Sequence, residues 1–170
     1  IPPDKFIPVA EKTGLIVRLG EWSLLQGTRC AARLREQGYT TKVAINVSRV
    51  QLLSPGFLPA LHGALICANV PPELIELELT ESIAMRDVES SITMLEGLRA
   101  MGVRLSIDDF GTGYSSLSYL QRFPLSRLKI DQSFVRDLLT NENNVKITKA
   151  IIAMAHSLNL SVLAEGVETE

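Results

Sequence analysis

Polar and apolar residues alternate along this chain at two periods, and the order in which those periods succeed one another predicts the architecture. Over Lys42–Ser48, Val43, Ile45 and Val47 fall on one side of an extended chain and Ala44, Asn46 and Ser48 on the other. The same two-residue period sets Ile75, Leu77 and Leu79 against Glu76, Glu78 and Thr80, with Glu81 at the exit. It returns in Val103, Leu105 and Ile107, which lead directly into Asp108. It returns again where Arg127, Lys129 and Asp131 oppose Leu128 and Ile130, and where Leu160, Val162 and Ala164 oppose Ser161, Leu163 and Glu165.

Helical spacing fills the intervals. Asp4 is placed to cap a helix bearing Phe6, Ile7 and Ala10 that stops at Gly14. A second helix, about Leu19 to Gln37, is expected to bury Trp22, Leu25, Ala32 and Leu34, with Trp22 in the core. Further helices are predicted over about Gly56 to Asn69 (Leu58, Leu61, Leu65, Ile66), Glu89 to Met101 (Ile92, Leu95, Leu98), Ser115 to Arg122, and Val145 to Leu158 (Ile147, Ile151, Met154, Leu158).

Strands that alternate with helices imply a parallel sheet with helical crossovers. Strands buried under helices on both faces would be apolar on both. Here one face of each strand is apolar, while the other turns polar or acidic toward its C-terminal end. That pattern fits a TIM-like (β/α) barrel, whose outward positions pack under helices and whose inward positions at the C-terminal rim carry chemistry. By this parity Asn46, Glu78, Asp108, Lys129 and Glu165 converge on one rim. An open doubly wound sheet is the alternative and would spread them along a crevice. Eight strands typically need about 250 residues. The 170 residues hold about five strands, so the expectation is part of a barrel.

Composition narrows the ligand. With 46% hydrophobic and 21% charged residues the chain suits a globular domain, and 17 basic against 19 acidic residues leave no basic surplus for general binding to DNA or RNA. Cys30 and Cys67 stand in apolar helical surroundings and read as reduced core residues of a cytoplasmic protein. His62 and His156 stand alone, which supports neither a histidine metal site nor a Ser/His/Asp triad. No apolar run approaches the roughly 20 residues of a membrane span.

Asp108 and Asp109 open a loop of turn residues, Gly111-Thr112-Gly113, and alone they read equally as the start of a turn or as holders of a cation. Their convergence with Asn46 and Glu78 gives an oxygen-rich donor set suited to Mg²⁺ or Mn²⁺ and poorly suited to zinc. A structural salt-bridge network is the plainer reading, with only Lys129 and Arg127 at hand as cations. Paired aspartates also suit two ions about 3.5–4 Å apart, as in two-metal phosphoryl enzymes. Lys129 would then orient the attacking water and Glu165 take its proton, which amounts to metal-assisted hydrolysis of a phosphoester.

The motifs Asn46-Val47-Ser48, Glu78-Leu79-Thr80-Glu81, Asp108 through Leu117, Leu128-Lys129-Ile130-Asp131 and Glu165-Gly166-Val167-Glu168-Thr169 stand in one order over nearly the whole chain. Together they resemble the EAL-domain phosphodiesterases that hydrolyse the bacterial second messenger cyclic di-GMP. The resemblance implies a modified (β/α)8 barrel of EAL type. It implies Asn46, Glu78 and Asp108 as metal ligands, Asp109 at a second metal, Lys129 on the attacking water and Glu165 as base. Glu168 would support the site and Glu81 brace the loop from Asp109 to Leu117, with Ser48, Asp131, Gly111, Thr112 and Gly113 as further substrate-binding or supporting positions. Family habit adds Mg²⁺ or Mn²⁺ dependence, inhibition by Ca²⁺, a linear pGpG product, a homodimer formed around that loop, and flanking cyclase-like or sensory domains.

The Glu-Ala-Leu strand that names the family and a last strand are absent from residues 1–170. The expectation is therefore a partial EAL domain, inactive alone, whose parent protein hydrolyses cyclic di-GMP. The alternative is an EAL-like receptor that binds cyclic di-GMP without cleaving it, and a third reading, an interaction domain without a nucleotide, leaves the acidic rim unexplained.

Overall fold

The computed structural model describes residues 1–81, 88–112 and 117–167. Helices α1 (Pro3–Thr13) and α2 (Leu15–Glu36) lead into β1 (Val43–Asn46), followed by α3 (Arg49–Leu52), α4 (Phe57–Ala68) and a 3₁₀ turn. Then come β2 (Ile75–Thr80), α5 (Val88–Ala100), β3 (Arg104–Phe110), α6 (Leu117–Leu120), β4 (Arg127–Ile130), α7 (Gln132–Arg136), α8 (Glu142–Ser157) and β5 (Ser161–Ala164). The strands form one parallel sheet in chain order, β1-β2-β3-β4-β5. β1 and β5 do not pair with each other, so the sheet is an unclosed part of the expected barrel.

The outer face of the sheet makes the core. Ile75, Leu77, Leu79, Leu105, Ile107, Leu128 and Ile130 are buried there in one cluster with Leu24, Leu61, Leu95, Leu98, Ile151 and Ala155 of the helices. The inner face is polar and, in the central strands, also buried: Glu76, Glu78, Ser106 and Lys129 are all largely shielded from solvent.

Helix α2 corrects the sequence expectation. Its buried face is Ile16, Gly20, Leu24, Thr28 and Ala31, and Trp22, on the opposite side, is 60% exposed. Close approach decides this face. A Cβ on Gly20 would lie 2.1 Å from Gln51 Cδ, and one on Gly27 would lie 2.4 Å from Ile45 Cδ1, so the helix packs by its smallest residues. Similar rotations leave Ile66 exposed on α4, and on α8 they bury Thr148, Ile151 and Ala155 while Ile147 stays on the surface. Cys30 is half-buried and Cys67 exposed, both as free thiols, so neither is the core residue expected.

Ends also differ. Pro2 rather than Asp4 precedes α1, with proline at the first helical position, where its missing N–H costs no hydrogen bond. Of the helix predicted over Ser115 to Arg122, Leu117–Leu120 is helical and Ser115 and Ser116 lie outside the described residues. Helices α3 and α7, not foreseen, follow β1 and β4 at the C-terminal rim and are capped by Ser48 and Asp131.

The largest departure is in β3. The strand runs beyond Asp108 to Phe110, and its pairing with β4 passes from Ile107↔Leu128 to Phe110↔Ile130. Asp108 and Asp109 therefore oppose a single residue, Lys129: a β-bulge. Asp109 takes φ 54°, a left-handed conformation that aspartate tolerates better than most residues.

A methyl group at position 20 tests the packing of α2. Gly20→Ala should displace Gln51 and destabilise the fold by about 1–3 kcal/mol, read as a lower urea midpoint with an unchanged slope. An unchanged midpoint would mean that Gln51 swings aside freely.

Candidate active site

Four neighbouring strands each deliver one charged side chain to the same point. Lys129 Nζ, at the centre, lies 3.0 Å from Glu78 Oε1, 3.0 Å from Asp108 Oδ1 and 2.6 Å from Glu165 Oε1. The Lys129 side chain is 7% exposed. Burial alone would pull its pKa down, but hydrogen bonds to Glu165, Glu78 and Asp108 outweigh it and hold the ammonium well above its ordinary range. Lys129 is thus a fixed cation at any physiological pH.

One ammonium does not balance the acids around it. Glu78 is pushed up from its ordinary value by burial, against the pull of Lys129. Asp109 is raised by burial and by the neighbouring charges of Asp108 and Asp131. The Asp109 N–H donates to Asp108 Oδ1 at 3.0 Å, which fixes the Asp108 carboxylate against the backbone of the bulge. Asp131 caps α7 by accepting from Ser133 N–H at 2.9 Å, and its pKa is lowered chiefly by hydrogen bonds from Ser133. The two neighbouring acids are thus shifted in opposite directions, Asp109 upward and Asp131 downward.

Asp108, Asp109 and Glu165 each present a carboxylate oxygen within 4.8 Å of the other two. Such a cluster of hard oxygen donors with surplus negative charge fits a divalent cation of the Mg²⁺ or Mn²⁺ type. Asn46 is paired with Glu78 across β1 and β2. Asn46 and Glu78 line an adjoining cavity of about 450 Å³ with Thr80, Ser48, Gln51 and the α1–α2 side chains Ile7, Glu11, Ile16 and Ser23. The salt-bridge network and the metal site are thus one set of residues, with Lys129 between its two halves.

The supporting positions divide. Glu81 is buried and its Oε2 accepts from Gly111 N–H at 3.0 Å, tying the end of β2 to the loop after β3. Gly111 has φ 101°, and a Cβ there would lie 2.8 Å from the Phe134 ring. Thr112 Oγ1 donates to the Asp109 carbonyl at 2.9 Å. Ser48 caps α3, its Oγ accepting from Gln51 N–H. Gly113 and Glu168 lie outside the described residues. Sequence reasoning missed the α1–α2 wall of the cavity, since nothing in a helical pattern says which face meets a ligand. It also missed α3, although Ser48-Arg49-Val50-Gln51 has the Ser-x-x-Gln form of a capping box.

Residues 1–170 match the family model described as EAL domain. Signaling protein YkoW of Bacillus subtilis is 48% identical over 167 residues, which are 98% of this chain and 21% of that protein. The bifunctional diguanylate cyclase/cyclic di-GMP phosphodiesterase MucR of Pseudomonas aeruginosa is 47% identical over 171 residues, 100% of this chain and 25% of that protein. The chain thus spans a minor part of these relatives' length. The solved structure of the PaMucR phosphodiesterase in its c-di-GMP complex superposes with a TM-score of 0.96 at 47% identity, over 100% of this chain and 69% of that one.

Lys129→Met leaves buried carboxylates without their cation. In EDTA it is expected to cost about 3–5 kcal/mol of stability, measured by chemical unfolding, and Lys129→Arg should cost less. Wild-type stability in Lys129→Met would show that the acids separate or take up protons freely, and that Lys129 does not organise them.

Proposed function

The chain belongs to the EAL domain family, and on that premise we propose that it is part of a metal-dependent phosphodiesterase that hydrolyses cyclic di-GMP to linear pGpG in bacterial second-messenger signalling. The observation that carries this reading is the meeting of Glu78, Asp108 and Glu165 on Lys129, beside Asp109, at the C-terminal ends of four parallel strands. The PaMucR phosphodiesterase, solved with c-di-GMP, has the same fold throughout this chain.

Asn46, Glu78 and Asp108 would hold a Mg²⁺ or Mn²⁺ ion, with Asp109 serving a second. Such ions supply Lewis acidity, polarising a phosphoryl oxygen and acidifying the attacking water. Lys129, permanently protonated, acts as a donor that orients that water and offsets charge growing on the phosphoryl group. Glu165 is the most accessible of the three carboxylates on Lys129 and receives the water's proton. The water oxygen bonds to phosphorus, one ribose P–O bond of the cyclic diester breaks, and the departing ribose oxygen takes up a proton from solvent, to which Glu165 returns the proton it received. Glu81, through Gly111, holds the loop that follows the paired aspartates.

The parent protein is proposed to be cytoplasmic in this domain, to act as a homodimer formed around the loop after Asp109, and to carry flanking cyclase-like or sensory domains. MucR, a bifunctional cyclase and phosphodiesterase of which this chain spans 25%, supports the last of these. Among the described residues no helix is long and apolar enough to cross a membrane. With its sheet unclosed, the 170-residue chain alone is proposed to be inactive.

The direct test is chromatographic detection of pGpG from the complete protein with cyclic di-GMP and Mg²⁺. Asp108→Asn should lower the rate by more than about 100-fold, the upper end seen when a ligand's partner is disturbed, and Ca²⁺ in place of Mg²⁺ should suppress it. Nucleotide binding by calorimetry without any product would sink the enzyme reading in favour of a receptor.

Proton competition gives a second test. Because Glu78 and Asp109 titrate above their ordinary values of 4.5 and 3.8, Mn²⁺ affinity should strengthen as pH rises through that window. In the same window the folded metal-free protein binds more protons at these groups than the unfolded chain, so their contribution to stability falls as pH rises. A pH-independent Mn²⁺ affinity between roughly pH 4.5 and 7 would exclude these two carboxylates as ligands.

A further inference from the structure

A second buried charged group lies one inward-facing step beneath the rim, and the mechanism above does not use it. Glu76 precedes Glu78 by two residues on β2, and Arg127 precedes Lys129 by two residues on β4. Arg127 Nη1 donates to both carboxylate oxygens of Glu76 at 3.0 Å. Its Nε donates to Ser161 Oγ on β5 at 3.4 Å, and that hydroxyl donates to the Ser126 carbonyl at 3.0 Å. The Glu76 side chain is 2% exposed.

β2 and β4 are not neighbours, since β3 runs between them. The residue of β3 at this level is Ser106, in register with Glu78 on one side and Arg127 on the other. Ser106 is fully buried, and its Oγ has no hydrogen-bond partner among the described residues. A serine there puts little side-chain volume between β2 and β4, across which the Arg127–Glu76 pair reaches. A single guanidinium therefore ties together the inner faces of β2, β4 and β5, the strands that deliver Glu78, Lys129 and Glu165 to the rim.

Stability alone does not account for such a pair, in which Glu76 is buried and Arg127 partly exposed, because ion pairs drawn out of water are often replaced by apolar residues of similar volume without loss. What distinguishes it is direction: two planar groups span β2 and β4, which are not hydrogen-bonded neighbours, one step beneath the Lys129–Glu78 ion pair that spans the same two strands. The rim needs those strands at a set separation, since Lys129 must reach carboxylates from three strands at once, and displacements of about 1 Å are costly at a reacting centre. We propose that Glu76 and Arg127 are positioning residues for the rim, holding β2, β4 and β5 at the spacing on which divalent-ion binding and turnover depend. The turnover part rests on the phosphodiesterase reading; the ion-binding part does not.

The test is the variant E76M/R127M in the complete protein, followed by thermal unfolding in EDTA, Mn²⁺ titration by electron paramagnetic resonance, and kcat and KM for cyclic di-GMP. The variant should unfold at or near the wild-type temperature, while Mn²⁺ affinity and kcat each fall by about 10–100-fold, the range for groups that orient a metal's ligands, and KM changes little. The exchanged pair E76R/R127E should recover part of both losses. A folded E76M/R127M with wild-type Mn²⁺ affinity overturns the proposal. If that variant does not fold, E76Q, which keeps shape and drops charge, decides in its place: weakened Mn²⁺ binding supports the proposal and wild-type binding overturns it. A wild-type protein that binds Mn²⁺ but releases no pGpG would count against the phosphodiesterase reading alone, and the Mn²⁺ comparison would still decide the positioning role.

Discussion

The Lys129 ammonium, held within 3.0 Å of carboxylates from β2, β3 and the end of β5, is the interaction on which the rest of the inner face depends. Carboxylates gathered in a poorly solvated space repel one another and each loses hydration, so they must be neutralised, protonated or kept apart. Lys129 neutralises some of that charge, yet burial, with the neighbouring acids adding to it, still holds Glu78 and Asp109 above their ordinary values. A site left short of positive charge by its own side chains is one that a divalent cation can complete.

Delivering these groups to one point takes two devices in the backbone. Parallel register places successive strand ends at the same height, so Glu78 pairs with Asn46 and Asp108 with Thr80. The bulge in β3 then adds a residue where the sheet passes Lys129, which gives one strand end two carboxylates where regular pairing allows one. The unusual φ of Asp109, the Asp109 N–H on Asp108, the Thr112 hydroxyl on the Asp109 carbonyl and the Glu81 carboxylate on Gly111 N–H fasten this irregular turn at successive points. The loop chemistry and the site chemistry therefore share residues, and this is why a reading of Asp108-Asp109 as a mere turn and a reading of it as a ligand pair both describe something real.

Strand parity was legible because its cause is local. Side chains alternate strictly, and one face of every strand had to be apolar to lie under helices, so Glu78, Asp108, Lys129 and Glu165 could be assigned to a common side without knowing the fold. The bulge was not legible, since aspartate is as much at home in a turn as in a left-handed strand position. The buried face of α2 was not legible for a different reason: Gly20 and Gly27 carry no hydrophobic signal, yet they set how closely the helix approaches Gln51 and Ile45 and so turn Trp22 outward. Nor could the pairing of Glu76 with Arg127 be read, because contact between strands that are not neighbours depends on the curvature of the sheet.

The two faces of the sheet divide the energetics between them. Leucine and isoleucine on the outer face pack with the helices in one cluster, a burial worth about 25 cal/mol per Å² of apolar surface. That leaves the inner face free to be arranged at some cost in stability, with acids whose pKa values are displaced and an ion pair in place of apolar packing. The cost rises toward the rim: Glu76 has a dedicated cation, Glu78 shares Lys129 with Asp108 and Glu165, and Asp109 is paired with another acid, Asp131. Charge compensation thus declines from the interior of the sheet to its C-terminal edge, and the least compensated carboxylates stand where an ion and a phosphate can reach them.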